Sequence, residues 1–409
     1  MSGAGLARGA GRQGPGRPVA LISHSYYEED PRVRRQAEAL AAAGWSVDVF
    51  ALRRAGQAPR GELQGVHVER LDVRRHQGAG LATYLAEYGA FFARAAAALA
   101  HAQHRRHYRL VQVATIPDWL VFAALPERLA GVPLLLDLHE AMPEFFRSRF
   151  PRAANPVAGG LLRLQERLSI AAATHLLTVN EALRDRLLGL GVPEERVSVI
   201  RNSPALARFD RAAQPVRSFM ADGTLRLVYA GAVTPMYELD VALDGVARLR
   251  RQRPTLAVRL EIYGRGDSQS TLEAALERLG VADAVTFHGR IPIEDVPAAI
   301  AAADVGLAPT RRDPFTEMSL STKIFEYAAM GKPILCSDLP LVGRMLGTDA
   351  AWVYPAGDAE ALAAALASIV DDGAEREARA ERALARTRDL AWEHEAGRYL
   401  DIVERFARA

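Results

Sequence analysis

The sequence predicts an α/β protein with two Rossmann-like domains, each a parallel sheet covered by helices on both faces. Three observations support this prediction. The chain has 409 residues, which is too long for one ordinary hydrophobic core. Short β-branched or Leu-rich runs alternate with longer Ala/Leu/Arg stretches of helical period, as expected for parallel sheets. The alternation stops once, near residues 203–223, and then resumes.

The predicted strands form one group on each side of this interruption. In the first half they lie at residues 19–23, 47–50, 66–70, 110–114, 134–138, 176–179 and 197–200. In the second half they lie at residues 225–230, 257–263, 285–287, 305–308, 334–336 and 351–353.

These groups predict five segments along the chain. Residues 1–17 are rich in Gly and Arg and lack the apolar region of a secretory signal, so we expect a disordered tail. Residues 18–203 form the first domain, and 204–223, with two prolines and no sustained period, form a linker. Residues 224–390 form the second domain, and 391–409 form an amphipathic helix.

Composition excludes several classes of protein. Hydrophobic residues make up 49% of the chain and charged residues 24%, with a formal net charge of +2, so no general attraction to nucleic acid is expected. No window reaches the roughly 18 consecutive apolar residues of a transmembrane helix. The single cysteine, Cys336, excludes a disulfide framework and suits a reducing cytosol, where we expect an inert core thiol.

The stretch 313–337 is the most informative part of the chain. A polar loop leads into a short amphipathic helix that ends at Gly331, and an apolar strand follows Pro333. Unpaired amides at a helix start favour an anion, and Lys323 adds a positive charge in the first turn. Glu326 lies three residues later on about the same face. A cation with amides suits a diphosphate, and a carboxylate suits sugar hydroxyls, so a nucleotide-sugar pocket is predicted.

This stretch resembles the C-terminal signature of retaining glycosyltransferases of family 4, which have the GT-B fold. In K-I-F-E-Y-A-A-M-G-K-P, Glu326 matches the carboxylate that binds the nucleotide ribose in that family. The chain departs from the family pattern of two glutamates, because Met318 occupies the position of the first one. The nearest carboxylate, Glu317, is one residue away. The S-x-K-x-x-E-Y version resembles a bacterial subset. The resemblance places these further residues at the donor: Glu317, Ser319, Leu320, Ser321 and Thr322.

The string L-L-L-D-L-H-E-A-M-P-E is the main feature of the first half. An apolar strand leads directly into Asp137, His139, Glu140 and Glu144, and polar residues at this end of a strand are often functional. The string resembles the family's D-x-H-x-x-P-E, in which the residue matching His139 holds a hydroxyl of the transferred sugar. A metal site is the alternative, although the spacing is poor for zinc. We expect His139 at the cleft edge, outside the core, and Glu140 on the acceptor side.

The loop after the first strand, H-S-Y-Y-E-E-D-P-R, has two interpretations. Asp30 and Pro31 suit the start of a helix, and Gly44 suits its end, so this is an ordinary strand-to-helix connection. The string also resembles the family's opening loop, which helps to build the acceptor site. That interpretation places four residues at the acceptor: His24, Tyr26, Tyr27 and Arg32.

In the second half, E-I-Y-G-R-G-D predicts a strand and a turn in which glycines let the backbone approach a ligand closely. By resemblance, this turn and F-H-G-R form the wall for the base and diphosphate. The loop 231–237 resembles one that often carries an Arg and a Lys, but this chain has Thr234, Pro235, Met236 and Tyr237 there. The expected donor residues are Gly231, Gly264, Arg265, Gly266 and His288.

The resemblance implies a retaining hexosyltransferase that uses a UDP- or GDP-sugar, with chemistry in a cleft between two facing domains and a last helix that returns to the first domain. The acceptor is a glycan, glycolipid or small natural product. We expect no cofactor and no metal, since no D-x-D string occurs. A sugar-nucleotide epimerase and a catalytically silent partner subunit are the alternatives. Residues 143–151 combine aromatics with arginines, which suits either anionic lipid at the cytoplasmic membrane face or a loop packed on the next helix.

Overall fold

The computed structural model describes residues 17–76, 80–151, 153–215 and 217–408. Two sheets are formed, one from each predicted group of strands. The predicted tail lies outside the described residues except for Arg17, whose guanidinium pairs with Glu404 at 2.6 Å. The described residues between the two sheets, from 200 to 223, contain one short 3-10 turn, Arg211–Ala213, and no strand.

The first sheet has eight strands in the order β3-β4-β2-β1-β5-β6-β7-β8. All neighbouring strands are parallel except β3 and β4, which are antiparallel. The strands are β1 (Pro18–Ser23), β2 (Ser46–Leu52), β3 (Arg60–Leu63), β4 (Val66–Leu71), β5 (Leu110–Ala114), β6 (Leu134–Leu138), β7 (His175–Thr178) and β8 (Val197–Val199).

The second sheet has six strands in the order β11-β10-β9-β12-β13-β14, and all of its pairs are parallel. Its buried strand β13 contains Cys336, whose pKa is raised to about 12 by burial, as expected for an inert thiol. The strands are β9 (Thr224–Ala230), β10 (Ala257–Tyr263), β11 (Val285–Gly289), β12 (Val305–Ala308), β13 (Ile334–Ser337) and β14 (Trp352–Tyr354).

Helices connect the strands and cover both sheets. The N-caps Asp30, Asn155, Asn180, Asp358 and Asp372 each accept a backbone N–H of the following helix. The helices are α1 (Pro31–Ala42), α2 (Leu81–Arg106), α3 (Leu125–Leu129), α4 (Met142–Arg149), α5 (Pro156–Ala172), α6 (Glu181–Gly189), α7 (Leu239–Gln252), α8 (Gln269–Leu279), α9 (Val296–Ala301), α10 (Lys323–Ala329), α11 (Pro340–Leu346), α12 (Ala359–Asp371), α13 (Gly373–Asp389) and α14 (Trp392–Ala407).

The β3–β4 hairpin was not predicted from the sequence. Strand β3 reads R-G-E-L and is largely exposed, so it lacks the apolar alternation by which the other strands were recognised. The turn is made by Gln64 and Gly65, which have φ angles of 51° and 76°. Two consecutive positive φ values are typical of a two-residue hairpin turn. The hairpin places a short polar strand at the edge of the sheet, where it protects the edge against association.

The last helix returns to the first domain. Helix α13 packs on α10 of the second domain, and α14 then packs on α1 and β5 of the first. Trp392, Tyr399 and Val403 are buried in the first domain's core. The Tyr399 hydroxyl donates a hydrogen bond of 2.7 Å to the Gln112 side chain in β5. The expected return of this helix is therefore confirmed.

The strand order fixes where a ligand can bind. In each sheet the direction of strand progression reverses once, between β1 and β5 in the first and between β9 and β12 in the second. Loops at the carboxyl ends of the two strands separate at such a point and leave a crevice. The loops that follow β1, β5 and β6 therefore lie together, as do those that follow β9, β10 and β12.

We predict that Tyr399→Phe lowers the free energy of unfolding by about 1 kcal/mol, because it leaves the buried Gln112 amide oxygen without its donor. Urea denaturation of the purified variant measures this. Tyr263→Phe is the matched control, since the Tyr263 hydroxyl makes no hydrogen bond within the described residues. A Tyr399→Phe variant as stable as the wild type would show that the contact with Gln112 contributes nothing.

Candidate functional site

The two domains contact each other on both sides of a cleft between their carboxyl sheet edges. On one side, helix α4 and Asn180 of the first domain contact residues of the second; on the other, helix α1 and the turn before it do so. The pairs are Phe145 with Phe315, Ser148 with Asp313, Arg149 with Asp267, Asn180 with the Met318 carbonyl, Arg34 with Glu294, and Glu29 with Arg290.

The loop that leads into helix α10 presents unpaired backbone donors. Within the described residues, the amides of Leu320, Ser321, Thr322 and Lys323 donate to no protein acceptor. These residues are half-buried except for Lys323, which is buried. Unpaired amides at a helix start attract an anion. The loop and helix thus have the arrangement that the sequence predicted.

Lys323 is a buried cation held by aromatic rings. Its ammonium lies 3.8 Å from the centre of the Tyr237 ring and 5.0 Å from that of Tyr229. Its one hydrogen bond is a long contact of 3.5 Å to the Ser321 hydroxyl. Within the described residues no carboxylate forms an ion pair with it. A buried ammonium that makes no direct ion pair keeps its hydrogen-bond donors free, so the position favours an incoming anion.

Tyr237 brings a cation to the loop 231–237, which has no cationic residue of its own. An aromatic face attracts an ammonium through its quadrupole. Tyr237 and Tyr229 therefore hold the ammonium of Lys323, which is the first residue of α10. The sequence showed that an Arg and a Lys are absent from this loop, but it did not indicate that Tyr237 contacts a cation.

Glu326 lies at the junction of the two domains. Burial raises the pKa of its carboxyl group, although the positive charges of Lys323, Arg208 and Arg35 oppose the shift. Within the described residues its side chain accepts no hydrogen bond. Arg35 comes from α1 of the first domain, and Arg208 comes from the segment between the sheets. The carboxylate is thus surrounded by cations but has its own hydrogen-bonding capacity free.

Arg35 and Arg208 were not predicted as site residues. The Arg35 guanidinium is buried, donates to the Ser203 carbonyl at 2.5 Å and lies 4.9 Å above the Trp392 ring. Arg208 has no ion pair within the described residues. One signal was present for Arg35, since it lies three residues after Arg32 and so on the same face of α1. Nothing in the sequence marks Arg208.

The glycines of the second domain lie where backbone or side chains of other segments come very close. A Cβ atom at Gly264 would lie 1.7 Å from the Gly231 carbonyl oxygen, and one at Gly266 would lie 2.0 Å from that of Val233. Backbone hydrogen bonds of 2.8 and 3.1 Å join the two loops at these points. The glycines therefore let two loops approach each other. A Cβ at Gly231 would lie 2.1 Å from Cε of Lys323, so this glycine makes room for the lysine.

Arg265 and His288 lie beside this pair of loops and are exposed. The His288 ring stacks on Tyr263, with ring centres 4.4 Å apart, and its Nε2 contacts the Glu261 carboxylate at 2.6 Å. The Arg265 guanidinium lies close to Gly289. Glu317, the nearest match to the family's first glutamate, pairs instead with Arg312 at 2.9 Å. Arg265 thus lies between the two glycines of the loop contact, and His288 lies on the neighbouring strand β11.

His139 is buried, contrary to the prediction that it lies at the cleft edge. Its side chain is 1% exposed, and Nε2 contacts Asp137 Oδ2 at 2.9 Å. Its backbone amide donates to the hydroxyl of Thr115, in the loop that follows the neighbouring strand β5. Its Nδ1 is buried without a partner. Truncation of His139 would therefore remove one partner of the buried Asp137 carboxylate.

Asp137 is the centre of a buried hydrogen-bond network. Its Oδ2 accepts from Gln36 at 2.9 Å and from Gln112 at 3.1 Å as well as from His139. Burial alone would raise the pKa of Asp137, but the charge and hydrogen bond of His139 hold it below its usual value. Gln112 also binds Tyr399, so the network joins α14 to His139.

Arg32, in the first turn of α1, bridges two carboxylates. It donates to Asp30 at 3.2 Å and to Glu140 at 3.1 Å. Burial opposes the ionisation of Asp30, but the charge of Arg32 and its hydrogen bonds keep the pKa of that carboxyl well below its usual range. One oxygen of Glu140 is buried without a partner. Arg32 and Glu140, both predicted as acceptor-side residues, thus lie together.

The other predicted acceptor residues have different surroundings. His24 is buried, with Nε2 3.0 Å from Glu87, and burial lowers its pKa against the effect of that carboxylate. Tyr26 is half-buried beneath the Arg54 guanidinium, 4.7 Å from its ring centre. Tyr27 is 0% exposed and belongs to the hydrophobic core, so its side chain has no open approach in this structure.

Asp118 is a buried carboxyl group that the sequence analysis did not select. It follows β5, and both of its oxygens are buried without a partner. Burial raises its pKa well above the usual value, and the nearby Glu166 and Glu140 carboxylates add to the shift. The Asp118 carboxyl group is therefore harder to ionise than an exposed one. No group of metal-ligating side chains large enough to hold an ion occurs in the described part of the chain.

The segment 143–151 forms most of helix α4 and so is not the loop considered above. Its Phe146 is buried against Phe150, and the helix packs on α5. Among the described helices, none is long and apolar enough to span a membrane.

Two protein-family models match the chain, one for each domain. Residues 29–203 match the model described as "Glycosyl transferase 4-like domain", and residues 224–372 match "Glycosyl transferases group 1". Together they include Arg32, His139, Lys323 and Glu326. The chain is 28% identical over 316 residues to a glycogen synthase of Mycobacterium tuberculosis. The aligned region covers 72% of each of the two chains.

Solved structures share the same architecture. Sucrose-phosphate synthase from Thermosynechococcus elongatus matches with a TM-score of 0.75 and 19% identity, covering 96% of this chain and 100% of that one. The Anabaena protein HepE in complex with UDP-glucose matches with a TM-score of 0.69 and 14% identity, covering 94% and 99%. At these identities the likeness concerns the fold, and it confirms the GT-B architecture predicted from the sequence.

We predict that Gly266→Ala destabilises the protein by at least about 2 kcal/mol, because the new methyl group overlaps the Val233 carbonyl and forces the two loops apart. Thermal and urea unfolding measure the loss. Gly89→Ala is the matched control: this glycine lies within α2 with no atom in reach of a Cβ, so alanine there is neutral or stabilises by up to about 1 kcal/mol. Equal stability of the two variants would mean that the loops are not in contact.

Proposed function

We propose that this chain, a GT-B glycosyltransferase of the family 4-like type, is a retaining hexosyltransferase that takes its sugar from UDP or GDP. The observation that carries the proposal is the buried Lys323 ammonium, which has no carboxylate partner and lies beside four unpaired amides. A diphosphate has the charge and the acceptor oxygens that this arrangement lacks. Neighbours of known structure were solved with UDP and UDP-glucose, which agrees with such a donor.

The donor lies mainly on the second domain in this proposal. Lys323 and the amides of the loop before α10 bind the diphosphate, and the Glu326 carboxylate accepts hydrogen bonds from the ribose hydroxyls. Arg35 and Arg208 lower the cost of keeping Glu326 ionised, since both attract it. In this proposal His288 borders the nucleobase, and Arg265 borders the diphosphate.

In the reaction, the bond from the sugar's anomeric carbon to the diphosphate breaks and a bond to the acceptor oxygen forms on the same face. The acceptor proton passes to an oxygen of the departing diphosphate, so no side-chain nucleophile is needed. The protein stabilises the developing negative charge with Lys323 and the amides. Closure of the two domains around the donor excludes water.

The acceptor lies mainly on the first domain. With Nε2 directed at Asp137, His139 has Nδ1 left to bind a hydroxyl of the transferred sugar. Glu140 and Arg32 border the acceptor, which is a hydroxyl of a glycan, a glycolipid or a small natural product. The single buried Cys336 thiol suits a reducing, cytoplasmic compartment.

A panel of nucleotide sugars tests the proposal. The protein is incubated with each donor, with and without a mixture of candidate acceptors, and nucleotide release and sugar products are measured. Acceptor-dependent release with retained anomeric configuration is expected. Conversion of a UDP-sugar without an acceptor would make the protein an epimerase, and failure to bind or turn over any donor would make it a silent partner subunit.

We predict that Lys323→Gln weakens binding of UDP or GDP by at least roughly tenfold, which equals the loss of about 1.4 kcal/mol. The reason is that Lys323 is the buried cation of the pocket. Isothermal titration with the nucleoside diphosphate measures the effect. Arg250→Gln is the control, because Arg250 pairs with Asp283 on the exposed surface. Equal affinity in the Lys323 variant and the wild type would remove this lysine from the diphosphate site.

For Glu326→Ala we expect kcat/KM to fall by an amount that corresponds to roughly 2–4 kcal/mol, since a charge-assisted contact with the ribose is lost from a desolvated site. Steady-state kinetics with the accepted donor provide the measurement. Glu277→Ala, an exposed residue near the end of α8, controls for the loss of a carboxylate. Unchanged kcat/KM in a folded Glu326 variant contradicts the assignment.

We also predict that transfer survives EDTA, because cations and amides of the chain take the place of a divalent ion at the diphosphate. Initial rates are compared before and after chelation and dialysis. Complete loss of transfer that Mg²⁺ or Mn²⁺ restores would show that a metal site takes part.

A further inference from the structure

Helix α5 buries a charged residue and exposes a stripe of large apolar ones, the reverse of the pattern in the other helices that cover the sheets. Its buried side chains are Glu166, Ser169 and Ile170, with Gly159 beside them. Its exposed face carries four large apolar residues, which are between 52% and 72% exposed: Val157, Leu161, Leu164 and Leu168. Their spacing of four, three and four residues places them in one stripe along the helix.

Contacts within the described structure explain why the inner face of α5 is polar, but none explains why its outer face is apolar. Glu166 is buried because Arg186 of α6 binds both of its oxygens, at 2.7 and 3.1 Å. This ion pair holds the polar side of α5 against the domain and turns the leucines outward. Nothing in the described structure covers them. A contiguous apolar stripe of this kind marks a surface that contacts another body.

Two neighbouring helices extend the apolar surface. Leu85 of α2 and Leu129 of α3 are also exposed, and α2, α3 and α5 all pack on the 3-10 helix Asp118–Ala124. They therefore belong to one layer on one face of the first sheet. Of the large apolar side chains that are exposed in the described residues, Val353 alone lies outside this layer.

The charge around the stripe has one sign. Arg163 and Arg167 are exposed on α5, and Arg147 of α4 is exposed next to it. The Arg147 and Arg163 guanidiniums both lie within 3.7 Å of the position that a Cβ of Gly159 would occupy. Within the described residues none of the three arginines forms an ion pair with a carboxylate. Like charges kept close together without a counter-ion favour an anionic partner.

We propose that the exposed face of α5, with Arg147 beside it, docks on a membrane surface that contains anionic lipid. A helix with a leucine stripe flanked by arginines lies in the interfacial region, with its apolar residues among the acyl chains and its cations at the headgroups. A second copy of the chain is a poorer occupant, because the same unpaired arginines would face each other across the contact. Docking through α5 does not depend on which donor the protein uses.

Docking through α5 places the cleft close to the membrane. Helix α4 packs on α5 and also reaches the second domain, where the Ser148 hydroxyl donates to Asp313 at 2.6 Å. The docked surface and the cleft are therefore separated by a single helix. An acceptor hydroxyl at the membrane surface would lie within reach of the cleft.

Vesicle flotation tests the proposal with the full-length protein. At low ionic strength the protein should float with vesicles of phosphatidylcholine and phosphatidylglycerol, and hardly with vesicles of phosphatidylcholine alone. Added salt should weaken the binding. The combined variants Leu161→Ser/Leu164→Ser/Leu168→Ser and Arg147→Gln/Arg163→Gln/Arg167→Gln should each reduce vesicle binding by roughly tenfold or more.

Matched controls keep the test specific. Val353→Ser removes an exposed apolar residue of the second domain, and Arg250→Gln removes an exposed cation there; both should bind vesicles like the wild type. Melting curves check that all variants are folded. Failure of the wild type to bind mixed vesicles, or unchanged binding by either triple variant, overturns the proposal. A wild-type dimer in analytical ultracentrifugation that the leucine variant converts to monomer, without vesicle binding, assigns the face to a contact between copies and also overturns it.

Discussion

The candidate donor site depends on the close backbone contact between the loops that follow β9 and β10. Gly264 and Gly266 allow this contact because any Cβ atom there would overlap a carbonyl of the other loop. The loop fixed in this way carries Gly231, over which Lys323 lies, and Tyr237, whose ring binds its ammonium. The position of the cation is thus set by backbone packing and an aromatic ring, so no carboxylate is needed to hold it. This leaves its charge available to a ligand.

A second constraint comes from the buried network around Asp137. It joins His139 at the carboxyl edge of the first sheet to Gln112 within the sheet and to Tyr399 on the last helix. Because α14 follows helices of the second domain, the same element ties the two domains together and supports the His139 imidazole. The folded-state pKa of Asp137 is lowered, so its contribution to stability is present above its unfolded pKa, near 4, and is lost as pH falls through the lower folded value.

Much of the fold could be predicted from the periodicity of apolar residues. The features that could not be predicted depend on contacts between distant parts of the chain or on exposed segments without an apolar pattern. Strand β3 was missed because an exposed edge strand needs no apolar alternation. His139 was expected at an open edge, yet loops from other parts of the chain bury it, and no local pattern reports such coverage. Lys323 and Glu326 could be selected, since the local helix and their spacing suffice. Arg208 could not, because its proximity to Glu326 is created only when the chain folds.

The chain's net charge of +2 gives no indication of the charge at the cleft. Some surface arginines pair with carboxylates, as Arg250 does with Asp283, and the fields of such pairs cancel over short distances. Lys323, Arg208 and Arg35 face Glu326 at the domain junction, where burial weakens screening by solvent. Along α5, Arg147, Arg163 and Arg167 have no acidic partner in the described structure. At the domain junction and along α5, positive charge without an ion pair in the described structure lies beside other groups that favour an anionic partner.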